Sequence, residues 1–188
     1  ERVNGYVEML KHGLIADKKH YDIVKMLFLK ENEKLNTSLI FDSIAIKQKH
    51  VEQDFKDEGI RKRLNFGHTI GHAIESHSLH MNEENESLSH GISVAIGMLG
   101  ESYLSTKLAG LSEAENHEIS LVIQCILSKV DDPIPSLDML MPYLLKDKKN
   151  DGEGINFSLL RSIGDCKQDY TVSVDLIKES LDYIRKLK

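Results

Sequence analysis

Apolar residues recur at helical spacing along most of this chain. The segment VEMLKHGLI places Val7, Leu10 and Leu14 on one face, and YDIVKMLFLKEN repeats that pattern. The longer segment SLIFDSIAIKQKHVEQDF is also amphipathic, and Ser38 is a candidate N-cap at its start. These segments predict that the first part of the chain is helical.

The middle of the chain alternates polar loops with long helices. KDEGIRKRLNFG is polar and contains glycine, which predicts a loop, and a helix is predicted from near Gly67 to about His80. MNEENESLS predicts a second loop, and HGISVAIGMLGESYLSTKLAG predicts a helix whose small residues favour close packing against a neighbour. SEAENHEISLVIQCILSKV opens with the S-x-x-E pattern of a capping box, and DDPIP ends that helix.

One late region departs from helical spacing. After a short helix over SLDMLMPYLLKDKK and a turn at NDGEG, the segments INFSLLRSIG and DYTVSVD show alternation and β-branched residues. They predict one short hairpin between Asn156 and Val174, and LIKESLDYIRKL returns to helix. The predicted fold class is therefore mainly α with one short β-hairpin.

Composition narrows the class of protein. The chain has 188 residues, which suits one domain or two small ones, and 40% of them are hydrophobic. A net charge of −6 argues against a general binder of nucleic acid or acidic membranes. Cys125 and Cys166 form no CxxC pattern and are predicted to be free thiols in a reducing compartment. The sequence contains no pattern of a membrane span or a signal peptide. It also contains no dinucleotide-binding glycine fingerprint. Because its first residue is Glu1 rather than Met, we expect the chain to be a fragment of a longer protein.

The segment LNFGHTIGHAIE, from Leu64 to Glu75, places two histidines four residues apart beside glycines. On a helix, His72 lies about 40° from His68 and Glu75 about 20° to the other side, so the three share a face. The H-x-x-x-H spacing matches that of zinc proteases, but Thr69 stands where that motif needs its glutamate base, which excludes a protease of that kind. A catalytic zinc usually has three protein ligands, so two histidines do not complete one.

Further ligands must come from other segments. His90, at the start of the small-residue helix, is one candidate, and Glu8 on the first helix is another. Lys11 follows Glu8 at i+3 and would place a cation beside that carboxylate. Each of these features alone is more common as a surface or structural feature, so spacing by itself indicates only a metal-site hypothesis.

Four strings, in this order, carry a more specific signal: YVEMLKHGLI, IKQKHVEQDFKDEGIRKRLNFGHTIGHAIE, HGISVAIGM and LLKDKKNDGEGINFSLLRSIG. Together they closely resemble the C-terminal domain of the 3-dehydroquinate synthases, over nearly the whole chain. The pattern R-x-x-L-N-F-G-H-T-x-G-H-A-x-E is the most specific part of this resemblance.

The resemblance implies a two-domain enzyme of the shikimate pathway, with an N-terminal Rossmann-like domain that binds NAD⁺ and a C-terminal helical domain that binds Zn²⁺ (or Co²⁺). It implies a carbon–oxygen lyase that converts 3-deoxy-D-arabino-heptulosonate 7-phosphate into 3-dehydroquinate and phosphate. In that reaction NAD⁺ oxidises a ring alcohol, phosphate leaves, the ketone is reduced, the ring opens and an aldol step closes the carbocycle. Residues 1–188 would be a single metal- and substrate-binding domain without the NAD domain, inactive by itself.

The resemblance also implies a role for each matching residue. The metal ligands would be Glu8, His68 and His90, and His72 would be the neighbouring acid–base histidine. Asp57 matches an acid that assists proton transfer. The residues that match substrate-binding positions are Lys11, Lys47, Arg61, Asn65 and a late lysine, either Lys148 or Lys149.

The residue types suit this chemistry. A substrate with a phosphate and a carboxylate needs several fixed cations, an imidazole can move protons near neutral pH, and Glu75 could orient a histidine ligand.

The chain also departs from the family pattern. Ile92 follows Gly91 where the family usually has glutamate, Asp57 is shorter than the usual glutamate, and the loop between the second histidine and His90 is longer.

Three other interpretations stay open. A related sugar-phosphate cyclase, such as a 2-deoxy-scyllo-inosose or aminodehydroquinate synthase, would share fold, metal and NAD⁺. A metal-dependent alcohol dehydrogenase of the glycerol type would not need Lys47, Arg61 and Asn65. A non-catalytic helical interaction domain would bind no metal. The resemblance itself implies a cytoplasmic enzyme that acts on a phosphorylated sugar acid, binds neither nucleic acid nor membranes, and forms a homodimer at full length.

Overall fold

A computed structural model describes residues 2–30, 35–81, 87–128, 130–146 and 154–187. Its helices and strands are α1 (Arg2–Ala16), α2 (Lys18–Val24), α3 (Met26–Leu29), α4 (Thr37–Gln53), a 3₁₀ helix (Ile60–Asn65), α5 (His68–Met81), α6 (His90–Leu108), α7 (Glu113–Leu127), α8 (Leu137–Lys146), β1 (Ile155–Ser162), β2 (Asp165–Val172) and α9 (Val174–Leu187). The predicted fold class, mainly α with one β-hairpin, is confirmed. Among the described residues, no helix is both long and apolar enough to cross a membrane.

Helix α6 is the centre of the fold. It packs against α1, α5, α7, α9 and β1, and its buried residues lie on all sides of the helix. A helix that is buried all round needs small or apolar residues on every face, which is the pattern of GISVAIGMLG. The predicted close packing of this segment is confirmed, and the helix can therefore hold several other elements in fixed positions around it.

The hairpin covers one side of this helical core. Strand β1 is mostly buried, and it pairs antiparallel with β2 from Ile155 opposite Val172 to Ser162 opposite Asp165. Gly164 makes the tight turn with a φ of +93°, and its N–H donates to the Leu14 carbonyl at 2.8 Å. The hairpin is thus fastened to the end of α1, and its other end faces the 3₁₀ helix.

Local predictions at element ends had mixed outcomes. The capping box is confirmed, because Ser112 and Glu115 exchange side-chain and backbone hydrogen bonds at the start of α7. Ser38 as N-cap is wrong: Asn36 is the cap, and its side chain accepts from the Ser38 N–H at 3.1 Å. The loop predicted for KDEGIRKRLNFG is wrong in part, since Ile60–Asn65 forms a 3₁₀ helix after Gly59. The second strand begins at Asp165, earlier than the segment DYTVSVD predicted.

Candidate metal centre and substrate cleft

Three histidines from two packed helices converge on one point. His68 begins α5, His72 lies one turn later, and His90 begins α6. Their ring centroids are 5.0, 5.5 and 5.8 Å apart, and one nitrogen from each can be chosen so that all three lie within 4.8 Å of one another. The helical spacing predicted that the first two share a face, and the packing of α6 adds the third.

The Glu8 carboxylate of α1 reaches the same point. Its Oε1 lies 3.5 Å from Nε2 of His68 and 3.9 Å from Nε2 of His90. Two donors that are each about 2.1 Å from a tetrahedral zinc are about 3.4 Å apart, so these separations fit a shared ion. Glu8 Oε1 is also buried without a hydrogen-bond donor among the described residues, as expected for an oxygen that coordinates a cation.

Hydrogen bonds on the far side of each ring direct the free nitrogens toward Glu8. Nδ1 of His68 lies 3.2 Å from the Phe66 carbonyl, and Nδ1 of His90 lies 3.1 Å from Oε2 of Glu75. A carbonyl and a carboxylate both accept, so each Nδ1 carries the proton and each Nε2 presents a lone pair to the centre. Glu75 therefore orients a histidine as predicted, and the histidine is the one from the neighbouring helix.

The electrostatics keep these groups in the forms that bind metal. Burial and the nearby Lys11 charge lower the pKa of His68 to about 3, so its imidazole is neutral. Burial would raise the pKa of Glu8, but the charge and the 2.7 Å hydrogen bond of Lys11, together with His68 and His12, lower it below its usual range. A neutral imidazole and an ionised carboxylate are the forms that coordinate metal ions.

A cleft formed by two adjoining cavities opens over this centre. One cavity, of about 490 Å³, lies between the 3₁₀ helix, α5 and the hairpin, and the other, of about 400 Å³, lies between α1, α4 and the 3₁₀ helix. Asp57, Asn65 and His68 line both, so the candidate centre lies where the two meet. The predicted cations Lys11, Lys47 and Arg61 all line the second cavity.

The loop that precedes Arg61 is held by hydrogen bonds to one carboxylate. The Asp54 carboxylate accepts from the backbone N–H groups of Glu58, Gly59 and Arg61, and the Gly59 bond is the largest cause of its lowered pKa. Within this loop Asp57 has a φ of +59°, a conformation that non-glycine residues rarely adopt. The loop therefore holds Asp57 at the edge of the cleft in a strained conformation, which is common at functional sites.

Most of the predicted site residues come together. Lys148 and Lys149 lie outside the described residues. The other predicted residues line the cleft or the metal centre: Glu8, Lys11, Lys47, Asp57, Arg61, Asn65, His68, His72 and His90.

Sequence reasoning missed His12, a buried residue that lines the second cavity. Its Nδ1 and the Ser43 hydroxyl share a hydrogen bond of 2.7 Å. Its position four residues after Glu8, on the same helix face, was the available signal.

Two relatives illustrate the sequence similarity. A 3-dehydroquinate synthase of Parabacteroides distasonis is 39% identical over 185 residues, which are 98% of this chain and 52% of that protein. A 3-dehydroquinate synthase of Streptococcus agalactiae is 34% identical in an alignment that covers 99% of this chain and 50% of the relative. The chain thus spans about half the length of these relatives.

Two solved structures share the fold. A 2-epi-5-epi-valiolone synthase from Streptomyces hygroscopicus subsp. jinggangensis 5008, with NAD⁺ and Zn²⁺ bound, superposes with a TM-score of 0.80 at 21% identity over 99% of this chain and 51% of that one. A 2-deoxy-scyllo-inosose synthase, complexed with carbaglucose-6-phosphate, NAD⁺ and Co²⁺, gives 0.71 at 21% identity over 98% of this chain and 52% of that one. At this identity the likeness shows the fold alone.

A family model extends the comparison from single relatives to a whole group of sequences. Residues 5–150 match the model described as 3-dehydroquinate synthase C-terminal. The matched residues include most of α1 and all of α4, the 3₁₀ helix, α5 and α6, which carry the carboxylate, the cations and the histidines of the cleft. The chain belongs to the 3-dehydroquinate synthase C-terminal family.

Proposed function

We propose that this chain is the metal- and substrate-binding half of a 3-dehydroquinate synthase, a carbon–oxygen lyase that forms 3-dehydroquinate from 3-deoxy-D-arabino-heptulosonate 7-phosphate. One observation carries the proposal: Glu8 Oε1 and the Nε2 atoms of His68 and His90 meet beside a cavity lined by Lys11, Lys47 and Arg61. A metal-binding group next to several cations suits an anionic substrate whose alcohol is oxidised.

Glu8, His68 and His90 would hold the metal. The orphaned Glu8 Oε1 and the two inward-facing Nε2 atoms fit Zn²⁺ or Co²⁺, which accept mixed nitrogen and oxygen ligands. Such an ion would polarise the alcohol that NAD⁺ oxidises. His72 belongs to the same histidine cluster, and the Nε2 atoms of His68 and His90 lie 3.5 and 3.9 Å from Glu8 Oε1.

The cationic cavity would bind the anionic ends of the substrate. Lys47, Arg61 and Lys11 line this cavity, and Lys11 donates to the Glu8 carboxylate at 2.7 Å. Arg61 is already held by a 3.1 Å bond from Nη1 to the Phe55 carbonyl, so its guanidinium is partly ordered before any ligand arrives. Charge-assisted contacts from several fixed cations would orient a phosphate and a carboxylate at once.

Proton transfer falls to groups at the junction of the two cavities. His72 lines the cavity that also contains Asn65 and Asp57, and its imidazole would serve as the acid–base group. Asp57 would assist this transfer from its strained loop position, and Asn65 would hold a substrate hydroxyl. The sequence has no dinucleotide-binding glycine fingerprint, so we assign NAD⁺ to a domain outside these residues.

A related sugar-phosphate cyclase is the second candidate, because the solved structures with this fold are cyclases of that kind. The test compares substrates on the enzyme that contains this chain together with an NAD-binding domain. We expect release of phosphate and formation of 3-dehydroquinate from the heptulosonate phosphate, and no turnover of glucose 6-phosphate. Turnover of the hexose phosphate alone would support the cyclase alternative.

A matched pair of lysines on α4 tests the anion-binding assignment in the same assay. Lys47 lines the cationic cavity, whereas Lys49 lines a different surface cavity near Asp42. Lys47→Ala should raise KM for the heptulosonate phosphate about tenfold or more, as for one lost charge-assisted contact, and Lys49→Ala should leave it unchanged. Equal effects of the two substitutions would contradict the assignment.

A further inference from the structure

Glu101 is a charged residue in the middle of the core, outside the cleft. It lies on α6, about three helical turns from His90, and its side chain is fully buried. Carboxylates are almost never fully buried unless they are paired or hydrogen-bonded, because their desolvation is costly. A group with this cost needs a structural or functional explanation, and the proposed chemistry does not use it directly.

The Glu101 carboxylate caps α5 from the neighbouring helix. Its Oε2 accepts from the Gly67 N–H at 2.7 Å, and its Oε1 accepts from the Ile70 N–H at 3.1 Å. These are the N-cap and third-residue N–H groups that a capping box satisfies with two side chains of the same helix. Here one carboxylate from α6 accepts from both.

The cap must come from another helix because the N-cap position has no side chain. Gly67 adopts a φ of +81°, and a Cβ atom there would lie 2.4 Å from the Met98 side chain. On the opposing helix, Gly97 lies so close that an added Cβ would be 2.0 Å from the Gly67 carbonyl oxygen. The turn before His68 is therefore pressed against α6, with room for backbone only.

We infer that Glu101 is a positioning residue for the metal centre: its carboxylate fixes the first turn of α5, and with it His68, against the helix that carries His90. The inference rests on the proposed function, because it requires His68 and His90 to bind one metal. It assigns Glu101 no contact with substrate or metal. Its effect on His68 passes through the backbone of residues 67–70, and its negative charge also acts on Lys11.

The test compares Glu101→Gln with Ser102→Ala in the 188-residue chain. The amide of glutamine keeps one acceptor but turns an NH₂ group toward one of the two N–H donors. Ser102 is equally buried on α6, and its only hydrogen bond to a described residue goes to the Leu99 carbonyl of its own helix at 2.9 Å, so its loss should leave α5 untouched. Hydrogen exchange of the Gly67 and Ile70 amides is measured without metal, and Co²⁺ affinity is measured by its visible absorption.

We expect Glu101→Gln to speed hydrogen exchange of both amides. We also expect it to weaken Co²⁺ binding about tenfold, which is the lower end of the loss of affinity seen when a group that orients a metal ligand is removed. Ser102→Ala should show neither change. If the glutamine variant does not fold, Glu101→Asp is measured with the same expected direction, since its shorter side chain withdraws from the amides. If the wild type binds Co²⁺ and the variant binds it with the same affinity, the inference about Glu101 is wrong and the proposed function is unaffected. A wild type that binds no Co²⁺ contradicts the proposed function, and this inference with it.

Discussion

His72 lies in the histidine cluster of the candidate metal centre, one helical turn after His68. In the full enzyme, His72→Ala should retain the metal but lower turnover by about 10²–10⁴-fold, the effect of a lost acid–base group. His77→Ala is the control, because His77 lies on the same helix with its ring 6.0 Å from Tyr143 and outside the cluster. Loss of metal with unchanged turnover per bound metal would contradict the assignment of roles.

Glu75 acts on the centre through His90. Because its carboxylate accepts the Nδ1 proton of His90 at 3.1 Å, Glu75→Ala should leave that ring free to rotate and to change tautomer. We expect Zn²⁺ affinity to fall about 10- to 100-fold, measured by competition with a chelator. Ser76→Ala, at the next and exposed position, should have no effect. Equal affinity in the two variants would refute this role.

At the scale of single residues, the sequence predicted the site residues that have a local signal, and it missed the residues whose role depends on packing between distant segments. The pairs Glu8–Lys11 and His68–His72 follow from helical spacing, His90 was a candidate from its position at a predicted helix start, and the resemblance joined these residues into one ligand set. Glu101 could not be predicted, because its partners are backbone groups on a helix far away in sequence.

At the scale of elements, the contact between α5 and α6 determines how the histidines meet. Gly97→Ala would place a methyl group 2.0 Å from the Gly67 carbonyl oxygen and should destabilise the chain by about 1–3 kcal/mol or more. Gly5→Ala is the matched control within α1, since no atom of the described residues lies within 4 Å of its added Cβ.

The control should show the opposite sign. Alanine at position 5 should stabilise the chain by about 0.5–1 kcal/mol, because glycine loses more backbone entropy in a helix. Chemical denaturation of both variants gives the two free energies of unfolding. Similar values for both variants would show that the helix contact is less tight than described.

Element types were predictable where the apolar period was long, whereas element ends were predictable only where a local motif marks them, such as the capping box of α7. The hairpin and the helices of the cleft follow from period and turn residues. The 3₁₀ helix was missed because RKR looks like a solvated loop, whereas Lys62 and Arg63 bond to Asp169 and Gln168 of the hairpin at 3.0 Å. Such long-range contacts leave no periodic signal in the sequence.

At the scale of the whole molecule, the chain has a candidate metal centre and a cationic cavity, and its sequence has no glycine-rich phosphate loop. The isolated chain should therefore show no dehydroquinate synthase activity, even with NAD⁺ and Zn²⁺ added, because hydride transfer needs NAD⁺ held against the substrate. It should still bind phosphate near Lys47 and Arg61. Turnover by the isolated chain would refute the assignment of NAD⁺ to another domain.

The central claim is that Glu8, His68 and His90 bind one metal ion. A crystal structure of the chain grown with Zn²⁺, with the ion located by anomalous scattering, tests it directly. We predict one ion with Glu8 Oε1 and both Nε2 atoms about 2.0–2.2 Å away, and with His72 nearby but not coordinated. An ion bound by His68, His72 and His90 with Glu8 excluded, or no ion at this position, would contradict it.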